Sequence, residues 1–131
     1  MAHLSFQYST GLSKHLDLGF FCDLMRDTMV KTTYFPVGGI RVRGFVADVI
    51  SIADGKSNHQ FIDMILRMGE GRSVDIRKDI TEALYSTAED FLKKNNVSNP
   101  IALSLEVLEI NNEFSIKRYN TVHAAISNKQ S

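Results

Sequence analysis

Two arginines stand two residues apart in the stretch Gly38-Gly39-Ile40-Arg41-Val42-Arg43-Gly44. On an extended strand that spacing puts both side chains on one face. A guanidinium pair is always charged and presents a fork of donors that fits a carboxylate or a phosphate. The same pattern also suits a solvated sheet edge or ion pairs between subunits. A second basic site is Gly69-Glu70-Gly71-Arg72-Ser73. Here Arg72 and several backbone N–H groups meet at a helix start, a place suited to an anion. The stretch lacks the Lys-Ser/Thr ending of a phosphate-binding loop and the glycine spacing of a dinucleotide-binding one. It serves equally well as a strand-to-helix turn capped by Ser73.

Other reactive side chains form no constellation. His3, His15, His59 and His123 are scattered, without the spacing of metal ligands. Cys22 lies in a helical pattern near its apolar stripe, as a small core residue would. Asp48 and Asp54 stand on or just after a strand, and Asp54-Gly55 is a turn dipeptide. No Ser–His–Asp set and no carboxylate pair can be read from the spacing.

The elements that must position these groups fit within one domain of 131 residues. Hydrophobic residues make up 44% and charged residues 23%, the balance of an ordinary globular chain with one core. Fifteen basic and 15 acidic side chains cancel. That balance, with no basic block, argues against nucleic acid or an anionic membrane as a partner and favours self-association. A single cysteine rules out an internal disulfide. With no signal-peptide layout and no apolar run of about 18 residues, a soluble protein of the reducing cytoplasm is expected.

The pattern reads strand–helix–strand twice. Residues 3–9 alternate as a strand. Residues 14–32 carry Leu18, Phe21, Leu24, Met25 and Thr28 at helical spacing, with Ser13 as N-cap. After the turn Phe35-Pro36-Val37-Gly38-Gly39, residues 40–54 are β-branched and apolar. Residues 59–69 read as the next strand. Ser73 caps a helix running to about Asn95, with Ile76, Ile80, Ala83, Leu84, Thr87, Phe91 and Leu92 on one stripe. Residues 101–110 form the last strand. Each helix is long enough to be a crossover, so its flanking strands should be parallel. The expected fold is α+β: two β-α-β units, pseudo-repeats at about 2–55 and 58–112 with a tail over 113–131. They build a four-stranded sheet with two helices on one face. The other face is left uncovered and partly apolar, which implies oligomerisation.

Several stretches together resemble the 5-carboxymethyl-2-hydroxymuconate Δ-isomerase family of the tautomerase superfamily. They are Phe35-Pro36 followed by Gly39-Ile40-Arg41-Val42-Arg43; Ala53-Asp54-Gly55; Phe61, Met64 and Leu66 leading to Gly69-Glu70-Gly71-Arg72-Ser73, with Arg77 beyond; Ala102-Leu103-Ser104-Leu105-Glu106; and Asn120-Thr121-Val122-His123-Ala124. The resemblance implies a trimer whose sheets face a central axis. It implies an isomerase that moves a proton between carbons of a small unsaturated di- or tricarboxylate from aromatic-acid breakdown, using neither metal nor organic cofactor. It also implies a base, the amine of an N-terminal proline, and arginines that hold carboxylates and the developing enolate charge. The matching arginines are Arg41 and Arg72, with Arg43 and Phe35 beside them as substrate-binding residues.

The chain departs from that pattern at one position. Ala2 stands where the family has proline, and the only prolines are Pro36 and Pro100. Removal of Met1 exposes a primary amine at Ala2, with a reference pKa of about 7.7–8.0. Two functions follow as expectations. One is an isomerase using the amine of Ala2 with Arg41 and Arg72. The other is a non-catalytic trimeric relative that binds a small carboxylate.

Overall fold

A computed structural model describes residues 1–56 and 58–130, the side chains of 128–130 excepted. Seven main elements follow in chain order: β1 (Ala2–Ser9), α1 (Leu18–Thr32), β2 (Ile40–Ala47), β3 (Gln60–Gly69), α2 (Val74–Lys94), β4 (Ile101–Ile110) and α3 (Val122–Gln130). The strands lie in the order β2-β1-β3-β4. Each β-α-β unit has parallel strands, β1 with β2 and β3 with β4, as crossover helices require. The two units join through an antiparallel β1–β3 contact.

The strand alternation decides which face meets the helices. Leu4 and Phe6 of β1 share their rows with Leu66 and Met64 of β3, and all four are buried. Phe21, Met25 and Met29 of α1, one turn apart, pack down on them, as do Ile80, Leu84, Ala88 and Phe91 of α2. The Phe21 ring links the layers: it meets Phe6 edge-on at 5.1 Å and Phe91 at 5.0 Å. Gly44 makes room for this arrangement. A Cβ there would stand 2.4 Å from the Phe6 ring, so no larger residue fits beside it in β2.

Three sequence expectations are revised. Helix α1 begins at Leu18, not near residue 14. Gly11 at φ 90° and a short 3-10 turn over Leu12–Lys14 bury Leu12 instead, and the Asp17 carboxylate accepts the Phe20 N–H at 3.0 Å. Strand β2 stops at Ala47 because its partner β1 stops at Ser9. Residues beyond are apolar but have no strand to pair with, and Val49 is 96% exposed. The tail, which shows no helical period, carries α3. Ser73 does cap α2, accepting the Ile76 N–H at 3.2 Å.

The face away from the helices is mixed rather than apolar. By register it carries His3, Ser5 and Gln7; Arg41, Arg43 and Phe45; Asp63, Ile65 and Arg67; and Ser104, Glu106 and Leu108. Among the described residues no helix is long and apolar enough to cross a membrane.

Truncating the linking ring in Phe21→Ala should cost about 3–5 kcal/mol. Overpacking in Gly44→Val should cost about 1–3 kcal/mol. Urea midpoints at an unchanged m-value test both.

Candidate active site

The topology brings three chain segments to one end of the sheet. Strand β1 is parallel to β2 and antiparallel to β3, so Ala2 pairs with Ile40 on one side and Met68 on the other. The start of the chain, the start of β2 and the turn leaving β3 therefore converge. Arg41 enters from β2 and Arg72 from the turn before α2.

The α-amine of Met1 is held below its ordinary value of 8.0, first by burial and then by the charges of Lys117, Arg72 and Arg41. Met1 lines a cavity of about 360 Å³. Pro36 and Gly39 form one wall, and Lys117, Arg118, Asn120 and His123 of the tail close the other. The tail is held there by its own polar groups. The Asn120 side-chain amide donates to the Gly38 carbonyl at 3.1 Å, while its oxygen accepts the Val122 N–H at 2.8 Å and so starts α3. The His123 ring lies on Gly38 so closely that a Cβ there would be 2.3 Å from Nδ1.

The arginines differ in how they are held. Arg72 donates to the Gly69 carbonyl at 2.9 Å and the Tyr34 carbonyl at 2.7 Å, and its guanidinium lies 4.9 Å from the centre of the Phe35 ring. Phe35 is itself buried, and none of Phe35, Arg41 and Arg72 lines the cavity, whose cations are Lys117 and Arg118. Arg41 donates to the Gly39 carbonyl at 3.2 Å. Arg43, two residues further along the same face, meets His3 Nδ1 at 3.3 Å. The anion-binding promise of the Gly69–Ser73 turn is taken up inside the chain. Glu109 accepts the Gly71 N–H at 3.2 Å and an Arg77 N–H at 3.1 Å.

This end of the sheet thus joins an amine with a weakened hold on its proton to the cations Lys117, Arg72 and Arg41. A neutral amine accepts a proton, and fixed guanidiniums stabilise the negative charge that proton removal creates.

A model of the 5-carboxymethyl-2-hydroxymuconate isomerase family matches residues 2–126. The chain belongs to that family. The 5-carboxymethyl-2-hydroxymuconate Delta-isomerase of Escherichia coli is 30% identical over 124 residues, 95% of this chain and 98% of that one. The crystal structure of a 5-carboxymethyl-2-hydroxymuconate isomerase from Deinococcus radiodurans R1 superposes with a TM-score of 0.86 at 25% identity, covering 95% and 93% of the two chains. A second 5-carboxymethyl-2-hydroxymuconate delta-isomerase structure gives 0.88 at 27%, covering 96% and 93%. The α+β fold is the tautomerase-like one.

Within this isomerase family member, other candidate groups fall away from the strand-end cavity. His59 and Asp54 pair with each other at 2.9 Å in the loop after β2. The Cys22 thiol is half-buried in α1, and burial pushes it up, away from the thiolate form. Among the described residues no group of three or more His, Cys, Asp or Glu could hold a metal ion. A larger cavity of about 720 Å³ lies between α1 and α2, lined in part by Phe20, Leu24, Thr28 and Thr87. Met1 does not line it, so its size says nothing about the chemistry at the strand end. Lys117 and Arg118 were not legible as site residues. Their one signal was a basic pair just before the family-like stretch Asn120–Ala124.

Gly38→Ala should displace the His123 ring and loosen the tail. Faster proteolytic cleavage within residues 115–121, at near-unchanged core stability, is the measurement.

Proposed function

We propose that this chain is a cofactor-independent isomerase that moves a proton within a small unsaturated di- or tricarboxylate resembling 5-carboxymethyl-2-hydroxymuconate. The observation carrying the reading is the α-amine at the start of β1, held below its ordinary value by burial and by cations from three segments. In this reading Met1 is removed and the amine of Ala2 acts as base. Met1 lines the cavity, and Ala2 N lies beside Gly39, which lines it too. Loss of Met1 then widens the cavity and leaves the new amine at its floor.

Arg41 and Arg72 hold the carboxylates and the developing enolate. Arg72 is oriented for this by its two carbonyl bonds and by Phe35. Arg43 holds His3 at the rim of the same strand rows. A cytoplasmic homotrimer is part of the proposal. Its support is the uncovered sheet face with Phe45 and Leu108, and the outward apolar side chains Phe114, Ile116 and Tyr119 of the tail, each at least 80% exposed. The whole chain acts as one domain, residues 1–131.

A second reading is favoured by one observation, that Ala2 stands where the family base is proline. It is a trimeric relative that binds a small carboxylate without turning it over.

Intact mass reports whether Met1 is removed. With the processed chain, kcat/KM towards a 2-hydroxymuconate should rise with pH through the amine's pKa, below about 8, because only the neutral amine accepts a proton. Arg41→Ala and Arg72→Ala should each lower kcat by about 10²–10³. An inert wild type whose Ala2→Pro variant gains activity would overturn native isomerisation. A dicarboxylate that raises the melting temperature of that inert wild type would establish the second reading. Sedimentation at micromolar concentration should give three chain masses.

A further inference from the structure

The cavity at the start of β1 has a cationic wall that the strand arginines do not account for. Lys117 and Arg118, neighbours in the tail between β4 and α3, line it together with Met1. The Asn120 side chain beside them is engaged on the Gly38 carbonyl and the Val122 N–H. Lys117 and Arg118 are thus the side chains that bring fixed positive charge to the lining. No acidic residue is part of it. A pocket lined by one sign of charge draws in a ligand of the other.

The chain itself keeps these two cations in place. Asn120 and His123 tie the segment to Gly38, within six residues of Lys117. Phe114, Ile116 and Tyr119 of the same tail do not line the cavity, so a trimer contact through them leaves it in place. Among the charges that act on the α-amine, that of Lys117 is the strongest, ahead of Arg72 before α2 and Arg41 on β2. The other titratable groups around the amine are Arg118 and His123 of the tail and His3 of β1. The amine therefore stands between two sets of cations, one from the sheet end and one from the tail. A substrate with a carboxylate at each end matches that division.

We propose that Lys117 and Arg118 bind one carboxylate of the substrate, so that the tail selects doubly charged substrates over singly charged ones and leaves Arg41 and Arg72 the other carboxylate and the enolate. The proposal rests on the isomerase reading above. It adds a link between binding and proton transfer. A carboxylate seated on Lys117 offsets the charge that most disfavours the ammonium form. Substrate binding thereby raises the basicity of the amine when it takes a proton from the substrate. Once that proton has been returned to another carbon, product release lowers the basicity again.

The test compares full-length wild type with Lys117→Met, Arg118→Gln and the charge-keeping Lys117→Arg. Both side chains are exposed and outside the core, so the fold tolerates each change. The substrates are 2-hydroxymuconate, with two carboxylates, and phenylenolpyruvate, with one. Above the pKa of the amine, Lys117→Met should raise KM for 2-hydroxymuconate about tenfold, with kcat changed less and KM for phenylenolpyruvate changed little. Arg118→Gln should act in the same direction, and Lys117→Arg should restore KM. The acid limb of kcat/KM, which reports the free enzyme, should move up towards 8.0 in Lys117→Met. The limb of kcat, which reports the complex, should move less. An unchanged KM for 2-hydroxymuconate in either charge-removing variant, or equal losses with the two substrates, would overturn the proposal. A wild type inert towards both substrates defeats the isomerase reading instead. Calorimetry with muconate then decides the role of the tail: binding about tenfold weaker in Lys117→Met upholds it, and equal affinity sinks it.

Discussion

The strand that begins the chain has neighbours on both sides. Because β1 lies inside the sheet, its first residues are fixed by two ladders, to Ile40 and to Met68. Chain ends are ordinarily loose, and an edge strand would leave this one free to fray. Interior pairing fixes Ala2, the residue directly after the one that carries the α-amine. The opposed directions of β2 and β3 then do the rest. A parallel neighbour brings its own start, with Arg41, to the same end, and an antiparallel neighbour brings its exit turn, with Arg72. No loop has to fold over to collect these groups. They meet because the two β-α-β units join head-on across β1 and β3.

Charge sets the character of that end. The amine would itself be a cation in water, yet it sits among Arg41, Arg72 and Lys117. Partial burial and like charges both disfavour its protonated form, so the same surroundings free the amine's lone pair. Arg72 could not remain there by charge alone. Its bonds to Gly69 and Tyr34 and its position over Phe35 satisfy the guanidinium locally, while leaving its net charge in play. The tail adds Lys117 without disturbing the sheet, because Asn120 and His123 tie it to the turn before β2 rather than to a strand.

Much of this was legible in the sequence because it obeys local rules. Alternation along 3–9 and 101–110, the stripe from Ile80 to Leu92 and the Ser73 cap all report short-range periodicity or hydrogen bonding. The Arg41–Arg43 spacing placed both side chains on one face, and register confirms that they share it with His3. What was not legible depends on partners distant in sequence. Residues 48–52 look as strand-like as residues 40–47, and only the end of β1 decides where β2 stops. Ser13 and Asp17 are both plausible caps, and the choice follows from Leu12, whose burial takes the chain through a 3-10 turn first. The open face read as partly apolar from the strands taken singly. Arg67 faces the same way as Arg41 and His3 only once β3 is known to run antiparallel to β1. The tail helix depends on Asn120 and on contact with Gly38, and neither leaves a period in the sequence.

Ala2 stands where the resemblance implies proline, and that difference is weighed against the same pairing constraint. A proline at the chain terminus keeps one N–H on its neutral secondary amine. Its ring ties the nitrogen to the side chain and so limits the directions of the lone pair. Alanine has no such ring. Its methyl is fully buried here, however, and its backbone is held between Ile40 and Met68. The orientation that proline supplies covalently is thus largely supplied by the sheet. What alanine cannot supply is the secondary amine, whose substitution leaves a single proton to lose in the neutral state. A primary amine keeps two, and its extra donor will seek an acceptor among the carbonyls at the strand end. The departure at this position therefore bears more on the chemistry of the nitrogen than on where it sits. The fold needs no other change to accommodate it.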